Sequence, residues 1–155
     1  MKEVFKIARS KYNVDTSTKG KTKRTYDGKL FDSLLELNYY KYILPQIEEG
    51  IIKSIELQPH FQLQPKFTKN GINIRKIEYV ADFKITYVEN DRVLIIDTKG
   101  NPDSLAKMKS KLFNYCYPDL ELQWIGYSKV DGGFVLYEEI IKGRKSRKKA
   151  KLAIK

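Results

Sequence analysis

Acidic residues interrupt two strand-like segments of this sequence, and a lysine closely follows the second of them. Asp82 lies inside the apolar run 79–85, and Asp97 follows four apolar residues and precedes Lys99 by two positions. Because successive residues of a strand face opposite sides, Asp97 and Lys99 should point the same way, about 7 Å apart at their Cα atoms. If the two strands pair, Asp82 lies beside Asp97, and their carboxylates repel unless a cation separates them. Such oxygen donors suit Mg²⁺, or Mn²⁺ in its place, so the pattern predicts a metal site.

These residues also have ordinary structural interpretations. Residues 97–100 are compatible with a strand that runs into a turn, and Asp97 and Lys99 with a surface ion pair. Asp82 is harder to explain in this way, because aspartate is depleted in strands and costly to bury without a partner. A third acid, Glu36, fits a capping box that begins at Ser33, yet it also lies at the edge of an apolar helical stripe and could face the same site. The spacing leaves both interpretations of Glu36 open.

The elements that would position these acids follow from periodicity and from turn residues. Helical spacing is present at 31–49 and 102–117, and the apolar side of the second helix comprises Leu105, Met108, Leu112, Phe113 and Cys116. Strands are predicted at 51–57, 60–67, 77–88, 92–98, 121–127 and 133–141. This order predicts a mixed central sheet with helices packed on it, an α/β or α+β domain.

Positive charge is concentrated at the two ends of the chain. The formal net charge is +11, of which residues 1–29 carry +6, residues 30–141 carry −3 and residues 142–155 carry +8. We therefore predict a folded domain at 30–141 between a basic N-terminal arm and a basic C-terminal tail. Polycationic segments bind nucleic acid because each neutralised phosphate releases counterions, and solvated tails that only aid solubility are the alternative.

The cations predicted to contact DNA lie on the second helix and in the C-terminal tail. They are Lys107 and Lys111 on the helix, and Arg144, Lys145, Arg147, Lys148 and Lys149 in the tail. Lys107 and Lys111 are four residues apart and share a helix face, although a solvated face explains this pair equally well.

Composition excludes several other classes of site. With one cysteine and one histidine, the chain forms no internal disulfide, Cys-rich zinc site or histidine cluster, and a Ser-His-Asp triad is disfavoured. No apolar run approaches the roughly 20 residues that span a bilayer. The N-terminus lacks the apolar core of a secretion signal, so we expect a cytoplasmic protein.

The order of these motifs resembles the PD-(D/E)XK nuclease superfamily, and more closely a phage-associated group within it, DUF1064. The similar segments are Phe31-Asp32-Ser33 with Glu36, Leu57-Gln58-Pro59, Tyr79-Val80-Ala81-Asp82-Phe83, Asp97-Thr98-Lys99-Gly100, and Lys109-Lys111-Leu112-Phe113 before Tyr117-Pro118. The resemblance spans about residues 11–128. Ala81 replaces the proline of the superfamily name, and Asp97 stands where many members have glutamate.

The resemblance implies a restriction-endonuclease-like core of αβββαβ order and Mg²⁺-dependent hydrolysis of phosphodiester bonds in DNA. It implies that Asp82 and Asp97 hold the metal, with the Thr98 carbonyl as a further ligand and with Glu36 bound to the metal directly or through water. It also implies that Lys99 orients the attacking water and stabilises charge at the phosphate. A phage-encoded enzyme of this type would act in the host cytoplasm, in recombination, replication or DNA processing. Branched junctions are among the candidate substrates, and a junction-cleaving enzyme would be a symmetric homodimer.

Some alternatives stay open at the level of sequence. Gln58 ends a strand and could reach the same site, although a solvent-facing glutamine is the simpler interpretation. A nucleic-acid-binding module that keeps the fold without cleaving is the main rival function. The presence of Glu36, Asp82, Asp97 and Lys99 together argues against it. A basic RNA- or ribosome-associated protein is the second rival, and the acidic middle segment fits it poorly.

Overall fold

The computed structural model describes residues 14–153, in which a five-stranded mixed sheet is flanked by helices, as the sequence predicts. The helices are α1 (Thr18–Lys23), α2 (Leu34–Ile43), α3 (Pro45–Glu48), α4 (Ser104–Cys116) and α5 (Tyr137–Ala153). The strands are β1 (Thr25–Tyr26), β2 (Lys29–Leu30), β3 (Ile52–Leu57), β4 (His60–Gln64), β5 (Phe67–Lys69), β6 (Ile72–Ile74), β7 (Ile77–Val80), β8 (Phe83–Tyr87), β9 (Val93–Thr98), β10 (Glu121–Ser128) and β11 (Gly133–Leu136). None of these helices has the length and apolar character required to cross a bilayer.

The predicted helix at 31–49 is two helices, because Pro45 interrupts it. Proline has no N–H to continue the helical hydrogen bonds, and α3 begins at this residue. The chain also divides into two compact units at this point, between Leu44 and Pro45.

The first compact unit contains α1, the β1–β2 hairpin and α2. Ser33 caps α2, because its hydroxyl accepts the Glu36 N–H at 3.0 Å. Buried Arg24 donates from Nη1 to the Phe31 carbonyl at 2.5 Å, which holds the segment that leads into α2. Part of the predicted basic arm therefore has regular structure, and residues 1–13 of that arm lie outside the described residues.

The second compact unit contains the central sheet, with strand order β11-β10-β9-β8-β3. Strands β9 and β10 are parallel, and the other neighbouring strands are antiparallel. A parallel pair requires a crossover connection, which α4 supplies. The pairs β4–β7 and β5–β6 lie between β3 and β8 in sequence.

The central strand β9 contributes to the core of this unit together with β4, β7 and α4. One cluster of buried residues comprises Phe61, Tyr79, Ala81, Ile95 and Phe113. Phe113 comes from α4 and meets the Phe61 ring edge-on, with the ring centroids 5.0 Å apart. Because Asp97 follows Ile95 by two positions, it points to the side of the sheet on which this cluster lies.

The predicted strand at 77–88 is broken at Asp82. Strand β7 ends at Val80 and pairs with β4, whereas β8 begins at Phe83 and pairs with β3 and β9. The chain changes partner strands between them, so Asp82 occupies a bend rather than a regular strand position. Alternation of apolar residues cannot reveal such a break, because both strands are partly buried.

The predicted strand at 133–141 is wrong beyond Leu136. Helix α5 starts at Tyr137, with Glu138 and Glu139 in its first turn, where acidic side chains oppose the positive end of the helix dipole. The helix continues to Ala153 through most of the predicted basic tail, and residues 154 and 155 lie outside the described residues.

The predicted apolar side of α4 is also largely wrong. Phe113 is fully buried, but the other four members of the predicted side, Leu105, Met108, Leu112 and Cys116, are exposed. Helix α4 contacts the sheet through Phe113, and Lys109 Nζ donates to the Glu78 carbonyl at 2.8 Å.

Candidate functional site

Asp82 is fixed against the end of β9 by its main chain and its side chain together. Its N–H donates to the Ile96 carbonyl at 3.1 Å, and its own carbonyl accepts the Gln58 N–H at 2.9 Å. Its carboxylate Oδ2 accepts both the N–H and the hydroxyl of Thr98, each at 2.6 Å. The carboxylate is thereby held at the point where the predicted D-x-K motif begins.

The pairing of β8 with β9 brings the two predicted acids to the same end of the ladder. Phe83 pairs with Ile96 in this antiparallel arrangement. Asp82 directly precedes Phe83 and Asp97 directly follows Ile96, so both acids leave the ladder together.

Asp97 is buried, and each of its carboxylate oxygens has a donor. Oδ1 lies 2.8 Å from Lys99 Nζ, and Oδ2 accepts the Tyr79 hydroxyl at 2.5 Å. Asp97 and Lys99 therefore lie on one side of the strand, as the alternation of strand residues predicts. The Asp97 side chain is only 4% exposed, which rules out an ordinary surface ion pair.

Tyr79 and Trp124 complete the surroundings of Asp97, and sequence reasoning did not find either of them. Trp124 pairs with Asp97 across the parallel strands β9 and β10, and its Nε1–H donates to the Tyr79 hydroxyl oxygen at 2.9 Å. The Tyr79 hydroxyl thus accepts from an indole and donates to a carboxylate. The only sequence signal was a tryptophan in the strand after the D-x-K strand, and it acquires meaning only when the register is known.

The negative charges of the Asp82 and Asp97 carboxylates repel each other. Burial, together with the neighbouring Asp97 charge, raises the pKa of Asp82 from 3.8 to about 6, although the Thr98 donors and the Lys99 charge oppose this shift. Burial and the Asp97 charge also raise the pKa of Tyr79 above its usual value, so its hydroxyl stays protonated and acts as a donor.

The donor set at this point fits a hard divalent cation. Asp82 and Asp97 supply carboxylate oxygens, and their mutual repulsion would be relieved by a cation. Within residues 14–153, no group of three or more His, Cys, Asp and Glu side chains is arranged to hold a metal. A pair of carboxylates is sufficient for Mg²⁺, which commonly keeps several of its waters and binds one or two protein carboxylates.

Glu36 lies on α2 in the first compact unit, and its contact differs by one residue from the capping box, in which its carboxylate would accept the N–H of Ser33. It is 2% exposed, and its Oε2 accepts the Asp32 N–H at 2.8 Å, one residue before the cap residue Ser33. Its participation in the metal site stays a prediction from the resemblance.

The remaining predicted site residues lie at exposed positions. Gln58 has an exposed side chain and a positive φ of 49°, and its N–H bonds to Asp82. Lys107 and Lys111 are exposed on α4. Residues Arg144, Lys145, Arg147, Lys148 and Lys149 are exposed on α5.

Comparison with known proteins adds the family of the chain. No curated protein and no solved structure matches it. A family described as protein of unknown function (DUF1064) matches residues 9–131, a range that includes Asp82, Asp97, Lys99, Tyr79 and Trp124. Because this match covers most of the sequence, the chain belongs to the DUF1064 family.

Proposed function

We propose that the protein is a Mg²⁺-dependent DNA endonuclease of the PD-(D/E)XK type, which hydrolyses phosphodiester bonds and leaves 5′-phosphate and 3′-hydroxyl ends. One observation carries the proposal: Asp82 and Asp97 meet where β8 and β9 pair, with the Lys99 ammonium 2.8 Å from Asp97. Carboxylates with strongly perturbed pKa values concentrate at functional sites, and the pKa of Asp82 is raised to about 6.

The residues that would hold the metal are Asp82 and Asp97, and the Thr98 carbonyl is the further ligand that the resemblance implies. When bound, Mg²⁺ supplies Lewis acidity at the phosphoryl oxygen and lowers the pKa of a coordinated water. Thr98 contributes in a second way, because its N–H and hydroxyl hold Asp82 Oδ2 in place. Tyr79 does the same for Asp97 Oδ2.

Lys99 acts through its charge and its hydrogen bonds. An ammonium group has three N–H donors and no acceptor, so it cannot take a proton from water while it is paired with Asp97. One N–H faces Asp97 Oδ1, which leaves two to orient the attacking water and to stabilise charge on the phosphate. The Lys99 side chain is 25% exposed, so a substrate can reach it.

Exposed cations supply the contacts to the DNA backbone in this proposal. They are Lys107 and Lys111 on α4 and Arg144, Lys145, Lys148 and Lys149 on α5. Arg147 has a structural role instead. Its Nη1 and Nη2 both donate to Asp131, at 2.6 and 2.9 Å, and these bonds connect α5 to the turn before β11. The resemblance implies that such an enzyme would act in phage DNA recombination, replication or processing in the host cytoplasm, and that it would be a homodimer if it cleaves four-way junctions.

The test is a cleavage assay with metal and with chelator. Supercoiled plasmid, linear duplex, four-way junction, single-stranded DNA and RNA are incubated with Mg²⁺, with Mn²⁺ or with EDTA. We expect metal-dependent cleavage of DNA, and products that DNA ligase can rejoin because they carry 5′-phosphates. Asp82→Asn, Asp97→Asn and Lys99→Ala should each abolish cleavage.

Two control variants remove the same charges outside the site. Asp91→Asn removes an exposed carboxylate next to the opposite end of β9, and Lys84→Ala removes a lysine that pairs with Glu56 on β3. Both should cleave like the unmodified protein. Full activity of Asp97→Asn, or cleavage that EDTA does not inhibit, would refute the assigned site. DNA binding without metal affinity at Asp82 and Asp97 would instead favour the non-catalytic binding module.

A further inference from the structure

A β-hairpin, which we call the cationic hairpin, projects between β4 and β7 and was not predicted from the sequence. It comprises β5, β6 and their flanking residues, 65–76. Its two-residue loop is Asn70-Gly71, with φ values of 52° and 76°, the positive φ angles that a tight type I′ hairpin requires. Every residue of this segment is exposed.

One face of the cationic hairpin is largely apolar. Phe67 pairs with Ile74 and Lys69 pairs with Ile72, so these four side chains share one face. Of the apolar residues on that face, Phe67 is 44% exposed, Ile72 is 64% exposed and Ile74 is 37% exposed. A two-stranded hairpin with no covered face gains little from burying apolar surface. Its apolar side chains are therefore better explained by contact with a partner than by the stability of the fold.

The charge of the cationic hairpin indicates the chemistry of that partner. Residues 65–76 contain four cations and no acid. Lys76 pairs with Glu78 at 2.8 Å, whereas Lys66, Lys69 and Arg75 pair with no carboxylate of the described residues. Lys66, Arg75 and Lys76 also line a recess of about 770 Å³ at the base of the hairpin. Unpaired cations beside exposed apolar side chains are complementary to a polyanion that also offers apolar contact surface.

We propose that the cationic hairpin enters a groove of duplex DNA, where Lys66, Lys69 and Arg75 contact phosphates and Phe67 and Ile72 contact the base edges. The major groove admits a two-stranded β-ribbon, and apolar side chains contact the thymine methyl group there. The inference rests on the proposed function only in taking DNA as the polyanion.

The hairpin is close enough in sequence to the candidate active site to share one duplex with it. Ile72 lies ten positions before Asp82, and an extended chain of that length spans at most about 36 Å. B-form DNA rises about 3.4 Å per base pair, so this distance corresponds to at most about eleven base pairs. The contact of Ile72 would therefore lie within about one helical turn of the scissile phosphate.

A second copy of the chain is a poorer occupant of this surface. Two hairpins that paired edge to edge would bring like charges together, because each carries four cations and no acid. Like charges directly opposite each other in a strand pair are destabilising.

The experiment measures DNA binding without cleavage, by fluorescence anisotropy of a labelled duplex in EDTA over a range of NaCl concentrations. The test variant is the triple substitution Lys66→Gln, Lys69→Gln, Arg75→Gln. The control with the same change in net charge is Lys53→Gln, Lys129→Gln, Lys142→Gln, which are exposed cations outside the hairpin and the predicted DNA-contacting set. Circular dichroism melts verify folding, and the single variants Lys69→Gln and Ile72→Ser serve if the triple variant does not fold.

The expected result is a loss of duplex affinity of at least about tenfold for the hairpin variant, and a salt slope that falls by about 2 to 3, roughly 0.9 for each phosphate contact. The charge-matched control should lose much less. Ile72→Ser should weaken binding without changing the salt slope, because it removes an apolar contact.

Several outcomes would overturn the inference. The first is that the hairpin variant and its control have the same duplex affinity and the same salt slope. The second is that the unmodified protein binds single-stranded DNA as tightly as duplex DNA. The third is that polyglutamate displaces the labelled duplex as effectively as unlabelled duplex does. The proposed function fails separately. Hairpin-dependent duplex binding with no cleavage in Mg²⁺ would refute the nuclease alone, whereas cleavage with hairpin-independent binding would refute the hairpin alone.

Discussion

Replacing Asp82 with asparagine should stabilise the metal-free protein at neutral and alkaline pH, although the same change should abolish cleavage. The carboxylate is partly buried beside Asp97, and its pKa in the folded protein is raised from 3.8 to about 6. Asparagine has the same shape and keeps an oxygen that can accept both Thr98 donors. The substitution therefore removes the charge conflict while retaining the hydrogen bonds.

The magnitude follows from the linkage between proton binding and folding. Each pKa unit corresponds to about 1.4 kcal/mol, so a rise of about two units corresponds to about 3 kcal/mol. Between the two pKa values the folded state holds its proton more tightly than the unfolded state, so stability falls as pH rises through this range. We expect the free energy of unfolding of Asp82→Asn to exceed that of the unmodified protein by about 1 kcal/mol at pH 4.5 and by about 3 kcal/mol at pH 8.

The assay is urea unfolding in EDTA, followed by the fluorescence of Trp124 and by circular dichroism, with coincident transitions as the test of two-state behaviour. Saturating Mg²⁺ should stabilise the unmodified protein, by about 2.7 kcal/mol at one hundred times Kd, and leave the variant unchanged. The control variant Asp91→Asn, which removes an exposed carboxylate, should shift the free energy of unfolding by no more than about 0.5 kcal/mol at either pH. A variant less stable than the unmodified protein at pH 8, or a difference independent of pH, would refute the reasoning.

Three further predictions concern other residues of the structure. Tyr79→Phe removes the hydroxyl that holds Asp97 and should cost about 1–3 kcal/mol of stability. It should also weaken Mn²⁺ affinity at least about tenfold by calorimetry, and an unchanged affinity would leave Tyr79 a purely structural role. Glu36→Gln should abolish plasmid nicking if Glu36 joins the metal site, whereas full activity would confine it to capping. The Arg147 guanidinium and the Ser128 hydroxyl lower the pKa of Asp131 to about 2. The stability from this ion pair should therefore be present above pH 4 and lost between pH 4 and pH 2, and Asp131→Asn should lack that dependence in pH-dependent unfolding.

The parts of the site that the sequence predicted are those that a single strand determines. Asp97 and Lys99 are two residues apart in a strand, so they had to share a side, and the structure places their charged atoms 2.8 Å apart. Glu36 follows a cap residue by three positions, and its own N–H bonds to that cap, although its carboxylate accepts the N–H of Asp32 rather than that of Ser33. Neither inference needed knowledge of which strands pair.

The parts that the sequence did not predict depend on contacts between distant segments. Tyr79 meets Trp124 across 45 residues, and this contact exists only because α4 returns β10 parallel to β9. The bend at Asp82 likewise comes from a change of partner strands, which local alternation does not encode. Tyr137 begins a helix although the residues around it are typical of strands, because burial against the sheet outweighed local propensity. Ile140 of this helix packs so close to Gly126 that a Cβ atom there would lie 2.6 Å from Ile140 Cδ1.

The distribution of hydrogen bonds explains why the charge conflict of this site falls on Asp82. Asp97 has a neutral donor on one oxygen and an ammonium on the other, so its negative charge is stabilised from both sides. Asp82 has Thr98 on a single oxygen and only the more distant charge of Lys99 to offset its burial and the charge of Asp97. Of the two carboxylates, Asp82 therefore gains more from a bound cation, and a proton competes with that cation below about pH 6. The destabilising charge at Asp82 is thus the feature that makes the same position favourable for metal binding.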